Sequence, residues 1–285
     1  MDLYDLGTIK RILAAHGFTF SKALGQNFLI NPDVCPNMAE QLNADRDTAV
    51  IEIGPGIGVL TKELCKRAGK VLAVELDKRL LPVLAETLAE FDNLEIINAD
   101  VMKLDLNRLI EEKFSGFRSV KVCANLPYYI TSPVIMNLLE SRLNIDEIVV
   151  MVQKEAGERL CAQVGTRNAG AVTAAVNYYA DSEILFNVGR ECFMPSPKVD
   201  SVVIRLKIRK ESKYTVCDEK LFFTVIKCAF SRRRKTALNS ISGTMGVDKN
   251  VLTNIFDELE IDRNIRAENL TMDDFVRITE KLSEV

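Results

Sequence analysis

Tryptophan is absent from this sequence, histidine occurs once, and long apolar runs are missing. A Ser-His-Asp triad or a multi-histidine metal site would have to use His16, which lies in a short helix-like stretch without a partner motif. No run approaches the ~20 apolar residues that span a bilayer, and the acidic start at residues 1–5 does not resemble a secretory signal. We therefore expect no histidine-based chemistry, no metal and no membrane association.

Disulfide bonds and zinc knuckles are not indicated either. The seven cysteines are odd in number and no two have Cys-x-x-Cys spacing, so a reducing compartment suits them best. With 285 residues, of which 47% are hydrophobic and 27% charged, the chain is long enough for one large domain and one small domain. We expect a cytoplasmic, globular monomer.

Charge is unevenly distributed along the chain, although the net charge is only −3. Residues 190–240 contain 13 basic and 5 acidic residues, whereas the segments on either side are acidic. Such a block indicates a confined contact with a polyanion. Its basic residues include Lys198 and the run Arg232, Arg233, Arg234 and Lys235. A solvated helix face is the alternative interpretation of that run.

The order of apolar segments predicts an α/β fold. Short apolar runs alternate with longer amphipathic stretches, which is typical of βαβ units on a mostly parallel sheet with helices on both faces. The predicted strands are 49–53, 71–75, 94–97, 120–124 and 148–152, with further strands in 171–188 and 199–208. From about residue 211 the pattern becomes helical. We predict a domain over 1–210 and a helical domain over 211–285.

A glycine-rich turn follows the first predicted strand. Gly54, Gly56 and Gly58 precede a helix-like stretch, and glycine lets the backbone turn sharply and approach a ligand closely. Glu75 ends the next strand, where a carboxylate can accept hydrogen bonds from both hydroxyls of a ribose. Asp100 follows the third strand, where it can accept from an adenine amino group while Val101 packs on the ring.

These positions suit a nucleoside that lies across the strand ends. The dinucleotide fingerprint Gly-x-Gly-x-x-Gly would need glycine where this chain has Val59. The sequence therefore favours S-adenosylmethionine over a nicotinamide cofactor. The competing structural interpretation is that the glycines only tighten a turn.

A tetrapeptide after the fourth predicted strand suits the methylation of an exocyclic amine. The lone pair of adenine N6 is delocalised into the ring, so the amine is a poor nucleophile. The side-chain oxygen of Asn125 and the carbonyl of Leu126 can accept its two hydrogens and favour a pyramidal nitrogen, while Pro127 fixes the backbone. Tyr128 offers a flat face on which an everted base can stack. A simple turn after a strand is the alternative.

Several segments together resemble the KsgA/RsmA family of small-subunit rRNA adenine N6,N6-dimethyltransferases, within the rRNA adenine dimethylase group. They are LGQNFL at 24–29, EIGPGIG at 52–58, VELD at 74–77, NADV at 98–101, NLPYY at 125–129, QKE at 153–155, FMPSPKVDS at 193–201 and FSRRRK at 230–235. The resemblance covers almost the whole chain. It implies a Rossmann-like class I methyltransferase sheet followed by a small all-α domain.

The resemblance also implies roles for individual residues. The cofactor site would be lined by Asn27, Leu29, Gly54, Glu75, Asp100 and Asn125, beneath a covering segment at 1–47. The target adenine would be held by Asn125, Leu126 and Tyr128, with Phe193 on its other side, although composition alone makes Phe193 equally suited to capping the core. Tyr129 stands where many members have Asn, so no role is carried over to it.

The activity implied by the resemblance is the transfer of two methyl groups to each of two adjacent adenines in the 3′-terminal hairpin loop of 16S rRNA. The implied partner is the assembling 30S subunit, whose entry into translation the protein would delay, and the basic run would contact RNA phosphates. An Erm-like 23S rRNA methyltransferase and a non-catalytic assembly factor are the alternatives. A DNA adenine methyltransferase fits less well, because many of those have Pro where Leu126 stands.

Overall fold

The computed structural model describes residues 1–19, 25–232 and 234–285. Most predicted strands are present, and they form a seven-stranded sheet in the order β4-β3-β2-β5-β6-β9-β7 among these residues. Its strands are β2 (Thr48–Ile53), β3 (Lys70–Glu75), β4 (Leu94–Asn98), β5 (Ser119–Asn125), β6 (Glu147–Gln153), β7 (Ala180–Val188) and β9 (Ser201–Ile208). A separate two-stranded sheet pairs β1 (Phe28–Leu29) with β8 (Phe193–Met194).

The helices flank and follow these strands. They are α1 (Leu6–Ala15), α2 (Val34–Gln41), α3 (Val59–Cys65), α4 (Leu81–Thr87), α5 (Leu106–Phe114), α6 (Thr131–Glu140), α7 (Lys154–Leu160), α8 (Ala171–Tyr179), α9 (Glu219–Phe230), α10 (Ala237–Met245), α11 (Lys249–Glu258) and α12 (Met272–Ser283). None of the helices in the described ranges is long and apolar enough to cross a membrane.

The strand order creates a crevice at one edge of the sheet. Strands β2 to β6 run parallel, and β9 pairs antiparallel with β6. Every residue of β2 is buried, as expected for a central parallel strand that is covered on both faces. Strands β3 and β4 are added on one side of β2, whereas β5 and β6 are added on its other side. The order in which the strands are added therefore reverses between β2 and β5. Ligands bind beyond the carboxyl ends of strands at such a point.

One part of the strand prediction is wrong. The segment 171–188 was expected to be strand throughout, but residues 171–179 form α8 and only β7 is extended. The Thr173 hydroxyl accepts from the Gly170 amide at 3.0 Å and donates to the Arg159 carbonyl at 2.7 Å, which satisfies polar groups at the start of the helix. A continuous apolar run does not distinguish a buried strand from a buried helix.

The chain divides into two compact units. The first comprises Met1–Gly157 and Ser182–Ile208, and it contains nearly all of the large sheet. The second comprises Glu158–Asp181 and Arg209–Val285, and it is mainly helical, with Phe222, Phe256 and Phe275 fully buried. The second unit therefore includes 158–181, which the predicted single boundary near residue 210 had placed in the first domain.

Candidate active site

A cleft of about 1140 Å³, including its open mouth, lies at the carboxyl ends of β2 to β5 in the first unit. It brings together every residue that was predicted to bind cofactor or target base. These residues are Asn27, Leu29, Gly54, Gly56, Glu75, Asp100, Val101, Asn125, Leu126, Pro127, Tyr128 and Phe193. The grouping depends on the fold, because these residues come from six separate parts of the sequence.

The glycine turn between β2 and α3 forms one wall of the cleft. Gly54 has a φ of +72°, and a Cβ placed on it would project into open space, so the bare backbone leaves room for a ligand. Gly58, the residue before α3, has a φ of +92°, and a Cβ there would lie 2.9 Å from Leu88 Cδ1. The first glycine thus opens the cleft, whereas the second allows close packing beneath it.

Glu75 is fixed by backbone donors at the end of β3. Its carboxylate accepts from the Asp77 amide at 2.7 Å and from the Gly56 amide at 3.3 Å. Burial raises the pKa of Glu75, while these two amide hydrogen bonds lower it. The carboxylate therefore links the glycine turn to the neighbouring strand and retains lone pairs for a further donor in the cleft.

Asp77 fastens the amino-terminal side of the cleft to β3. Its carboxylate accepts hydrogen bonds from Arg79 and from Gln26 Nε2, the latter at 2.9 Å. These hydrogen bonds, of which the one from Arg79 has the largest effect, lower the pKa of Asp77 to about 2. Gln26 immediately precedes Asn27, whose side-chain amide donates to the Gly25 carbonyl at 3.2 Å. The predicted motif at 24–29 is thereby anchored from residue 25 onward, while Leu24 lies outside the described residues.

The end of β4 adds an acidic and an apolar group. The Asp100 carboxylate accepts from the Met102 amide at 3.0 Å, which orients its side chain, and Val101 is buried beside it. Leu76, at the end of β3, is 52% exposed and also lines the cleft. Polar acceptors and apolar surface thus alternate along this wall, which suits a purine nucleoside.

The tetrapeptide after β5 forms the opposite wall. Within the described ranges, the side-chain amide of Asn125 has no hydrogen-bond partner, so its oxygen is available in the cleft. The Leu126 amide donates to the Met151 carbonyl at 3.2 Å, which ties the segment to β6. The hydroxyls of Tyr128 and Ser201 share a hydrogen bond of 2.9 Å. Burial raises the pKa of Tyr128, so the phenol stays neutral at physiological pH.

Phe193 is placed in the lining of the cleft by the two-stranded sheet of β1 and β8. Leu29 of β1 pairs with Phe193 of β8, and this pairing places both beside the glycine turn. Phe193 is only 4% exposed, so it is both a core residue and part of the cleft lining. The two interpretations offered by the sequence are therefore compatible.

Glu52 is a titratable residue of the cleft to which the sequence motifs gave no role. This residue belongs to β2, lines the cleft and is 1% exposed, and its Oε2 atom has no hydrogen-bond partner among the described residues. Burial, reinforced by the nearby Glu75 carboxylate, raises the pKa of Glu52 to about 8. An acidic residue inside an otherwise apolar strand segment was the available signal.

The basic residues of the segment 190–240 differ in whether they are paired with a carboxylate. Arg205 is paired with Glu147 and Glu183, and Arg209 is paired with Asp181, so these two cations are largely neutralised. By contrast, Lys198, Arg234 and Lys235 are exposed and form no ion pair with the rest of the described chain.

The remaining predicted cations are Arg232 and Arg233. Arg232 is exposed, and its guanidinium donates to the Gly243 carbonyl at 3.3 Å. Arg233 lies outside the described residues. Among the described residues of the run, Arg234 and Lys235 are therefore exposed cations without an ion pair.

The residues present fit an adenosyl group. Open space lies over Gly54, and carboxylates end β3 and follow β4 on the same side of the sheet. No cluster of three or more potential metal ligands occurs in the parts of the chain that the structure describes. The fold and the cleft thus correspond to a class I methyltransferase.

Solved structures with similar folds agree with this class. The chain matches a crystal structure described as a dimethyladenosine transferase from Plasmodium falciparum, with a TM-score of 0.72 and 28% identity over 90% of this chain and 98% of that one. It also matches the 23S rRNA methyltransferase ErmE, with a TM-score of 0.66 and 24% identity over 90% of this chain and 99% of that one, which shows a shared fold.

The chain belongs to the ribosomal RNA adenine dimethylase family, whose sequence pattern matches residues 17–284. A relative from Alkaliphilus oremlandii, named ribosomal RNA small subunit methyltransferase A, is 46% identical over 96% of each chain. A relative of the same name from Geobacillus sp. is 43% identical over 100% of this chain and 99% of the relative. The resemblance inferred from the motifs is confirmed.

Proposed function

We propose that this protein uses S-adenosylmethionine to dimethylate the N6 amines of two adjacent adenines in the 3′-terminal hairpin loop of 16S rRNA, on the assembling 30S subunit. The observation that supports this most is that Glu75, Asp100 and the tetrapeptide at 125–128 line one cleft. The small-subunit name shared by close relatives supports the choice of rRNA.

The cofactor would be held mainly at the ends of β3 and β4. S-adenosylmethionine supplies an electrophilic methyl group on a positively charged sulfur. Glu75 would accept from the ribose hydroxyls, Asp100 would accept from the adenine amino group, and Val101 would pack on the ring. The bare backbone of Gly54 and Gly56 would admit the ligand closely, and Asn27 and Leu29 would cover it.

The target adenine would be oriented by the tetrapeptide. The Asn125 side-chain oxygen and the Leu126 carbonyl would each accept one N6 hydrogen and so favour a pyramidal nitrogen whose lone pair points along the methyl-transfer axis. Pro127 would keep these acceptors in place. Tyr128 would stack on one face of the base, with its ring held by the hydrogen bond to Ser201, and Phe193 would limit the other face.

Proton release would not need a general base. The nitrogen becomes acidic once alkylated, so its proton can pass to water or to the Asn125 oxygen. A monomethylated N6 still has a lone pair, and the open mouth of the cleft would allow cofactor exchange before a second transfer. The exposed cations Lys198, Arg232, Arg234 and Lys235, together with Arg233, would bind RNA phosphates.

The first test removes the proposed acceptor. Asn125→Ala is expected to lower methyl transfer to undermethylated small subunits about 10²-fold or more, by analogy with the loss of one hydrogen bond formed in a transition state. The melting temperature should stay close to that of the wild type. Asn254→Ala, on the exposed face of α11, is the matched control and should leave transfer unchanged. Full activity of Asn125→Ala would remove the proposed role.

The second test identifies the RNA. Wild-type protein and methyl-labelled cofactor are incubated in parallel with undermethylated small subunits and with 23S rRNA, and the labelled nucleosides are identified by mass spectrometry. We expect N6,N6-dimethyladenosine in 16S rRNA alone. Label in 23S rRNA would support the Erm-like alternative, and binding without transfer would support an assembly factor that has lost its chemistry.

The cellular setting follows from the substrate. A protein that modifies assembling small subunits would work in the cytoplasm, as a monomer whose cleft is completed within one chain. While it is bound, it would delay the entry of an immature subunit into translation. The amino-terminal segment 1–47 would cover the cofactor and substrate, and the helical unit would contribute RNA contacts.

A further inference from the structure

Tyr129 is an exposed aromatic residue at the rim of the cleft, and it has no part in the proposed methyl transfer. It is 56% exposed, whereas its neighbour Tyr128 is partly buried and hydrogen-bonded to Ser201. Both tyrosines line the cleft and belong to the short 3-10 helix Tyr128–Ile130. Consecutive residues of a 3-10 helix project about 120° apart, because three residues complete one turn. One ring therefore lies within the cleft while the next lies at its mouth.

The Tyr129 ring lies close to the backbone of Gly25. A Cβ placed on Gly25 would lie 3.4 Å from Tyr129 Cε1, 3.5 Å from Tyr129 Cδ1 and 3.5 Å from Pro127 Cβ. Gly25 has a φ of +59°, which favours glycine. The ring therefore lies near the amino-terminal side of the cleft, and more than half of the residue remains accessible.

The exposed part of Tyr129 offers stacking surface and a free hydroxyl. Within the described residues its hydroxyl makes no hydrogen bond and its ring makes no aromatic pair. A planar aromatic group that is open to solvent at the mouth of a cleft is a platform for an unpaired nucleobase, because every base has a flat face that can stack.

We propose that Tyr129 forms a second nucleobase subsite, which stacks the base next to the adenine held at Tyr128. This inference rests on the proposed function, in which the substrate contains two adjacent adenines. When one adenine leaves the RNA stack to enter the cleft, its neighbour loses a stacking partner. Tyr129 replaces that partner, so the RNA segment binds as an everted base followed by a stacked base.

With this subsite, the two adjacent adenines of the substrate are bound in different ways at the same time. The adenine in the cleft is oriented for transfer, and its neighbour is held at the rim by stacking alone. After the first adenine is modified, the segment must move by one nucleotide for the second to enter. Tyr129 therefore acts as a positioning residue for RNA, and it does not contact the reacting nitrogen.

The test is a double-mutant cycle between the ring and the neighbouring base. Small subunits are reconstituted from 16S rRNA with a ligated synthetic 3′ hairpin, carrying either both adenines or an abasic nucleotide beside the target. Binding to wild type, Tyr129→Ala and Tyr129→Phe is measured by titration, and S-adenosylmethionine affinity is measured as a check on the cleft. Ile184→Ala, an exposed apolar residue on β7, is the matched control.

Tyr129→Ala is expected to weaken binding of intact subunits about tenfold, which is the size of one base–aromatic stack. Tyr129→Phe should bind within about twofold of wild type because the ring is kept. The abasic substitution should weaken binding to wild type by a similar factor and should add nothing in Tyr129→Ala. Cofactor affinity should stay the same in every variant.

Two results would overturn the subsite. One is equal affinity of Tyr129→Ala and wild type for intact subunits, and the other is independent, multiplicative effects of the alanine and abasic changes. Either can occur while the wild type still dimethylates the RNA, so the proposed function would stand. If the wild type transfers no methyl group to the intact subunits, the proposed function itself fails.

Discussion

Glu52 lies on β2 at the cleft, and one oxygen of its carboxyl has no partner among the described residues. Its pKa of about 8, compared with a usual value of 4.5, means that the folded protein keeps this side chain protonated at neutral pH. Burial also raises the pKa values of the neighbouring thiols of Cys35, Cys65 and Cys123. Glu52 is therefore the group near the cleft whose charge state is most sensitive to mildly alkaline pH.

This charge state predicts a pH-dependent stability. In the unfolded chain Glu52 ionises near pH 4.5, whereas in the folded chain it stays neutral until about pH 8. The stability that the neutral group contributes is full below pH 4.5 and is lost as the pH rises towards 8. Relative to Glu52→Gln, the free energy of unfolding of wild type should fall by up to about 1.4 kcal/mol per pH unit in that window.

Chemical denaturation at several pH values between 5 and 8 measures this difference. Glu75 also has a raised pKa and contributes a slope of the same sign, but that slope is common to both proteins and cancels. Glu111→Gln, on the exposed surface of α5, is the matched control for the exchange of a glutamate for glutamine. A constant difference between wild type and Glu52→Gln across the whole range would be inconsistent with a neutral Glu52.

At the scale of elements, the turn between β2 and α3 has two different requirements for glycine. Gly54 and Gly58 both have positive φ values, but only Gly58 also lacks room for a side chain. Its hypothetical Cβ meets Leu88, a buried residue that follows α4. The start of α3 is thus positioned by close packing as well as by backbone conformation.

We expect Gly58→Ala to destabilise the protein by about 1–3 kcal/mol, because left-handed strain and overpacking act together. Cofactor affinity should also fall, since α3 would shift against the glycine turn. Gly116→Ala is the matched control, because Gly116 has ordinary φ and open space around it. Thermal or denaturant unfolding of the two variants compares them directly, and equal stability of both would show that the Leu88 contact does not constrain the turn.

Much of the architecture was predictable from periodicity. Strands β2 to β6 are apolar runs of strand length separated by amphipathic stretches, and their ends carry the glycines and carboxylates that identified the cleft. Residues 171–179 were mispredicted because an uninterrupted apolar run has no distinguishing period. Strands β1 and β8 could not be predicted, because each has two residues and depends on a partner more than 160 residues away.

The site was predictable to a different degree. Glu75, Asp100 and Asn125 stand directly at strand ends, so their convergence follows from the parallel order of strands. That Asn27, Leu29 and Phe193 belong to the site could be predicted only from the family resemblance. The first two are distant in sequence from Phe193 and are brought to it by the pairing of β1 with β8. The burial of Glu52 was indicated only by its position inside an apolar strand segment, and the exposure of Tyr129 depends on packing that no local pattern encodes.

At the scale of the whole molecule, the charge pattern predicts how RNA binding responds to salt. Arg234 and Lys235 are exposed and form no ion pair within the described chain, whereas Arg205 and Arg209 form ion pairs with carboxylates of this chain. The sequence count of positive charge therefore overstated the surface available to phosphate. Cations at 232–235 and Lys198 are the better candidates for RNA contact.

The double variant Arg234→Ala and Lys235→Ala should bind small subunits more weakly and with a shallower dependence on salt. If each cation contacts one phosphate, the slope of log affinity against log salt concentration should decrease by about 1–2. A double variant of two other exposed lysines, Lys10→Ala and Lys249→Ala, is the control of equal charge. An equal change of slope in both double variants would assign the effect to net charge, not to a defined RNA contact.

A crystal structure of the protein with bound S-adenosylmethionine tests most directly whether the cleft holds the cofactor and aims its methyl group at the target adenine. We expect the ribose hydroxyls to contact Glu75, the adenine to lie between Asp100 and Val101, and the sulfonium methyl to point towards the space between Asn125 and Tyr128. Cofactor bound outside this cleft, or a methyl group directed away from Asn125, would contradict this expectation.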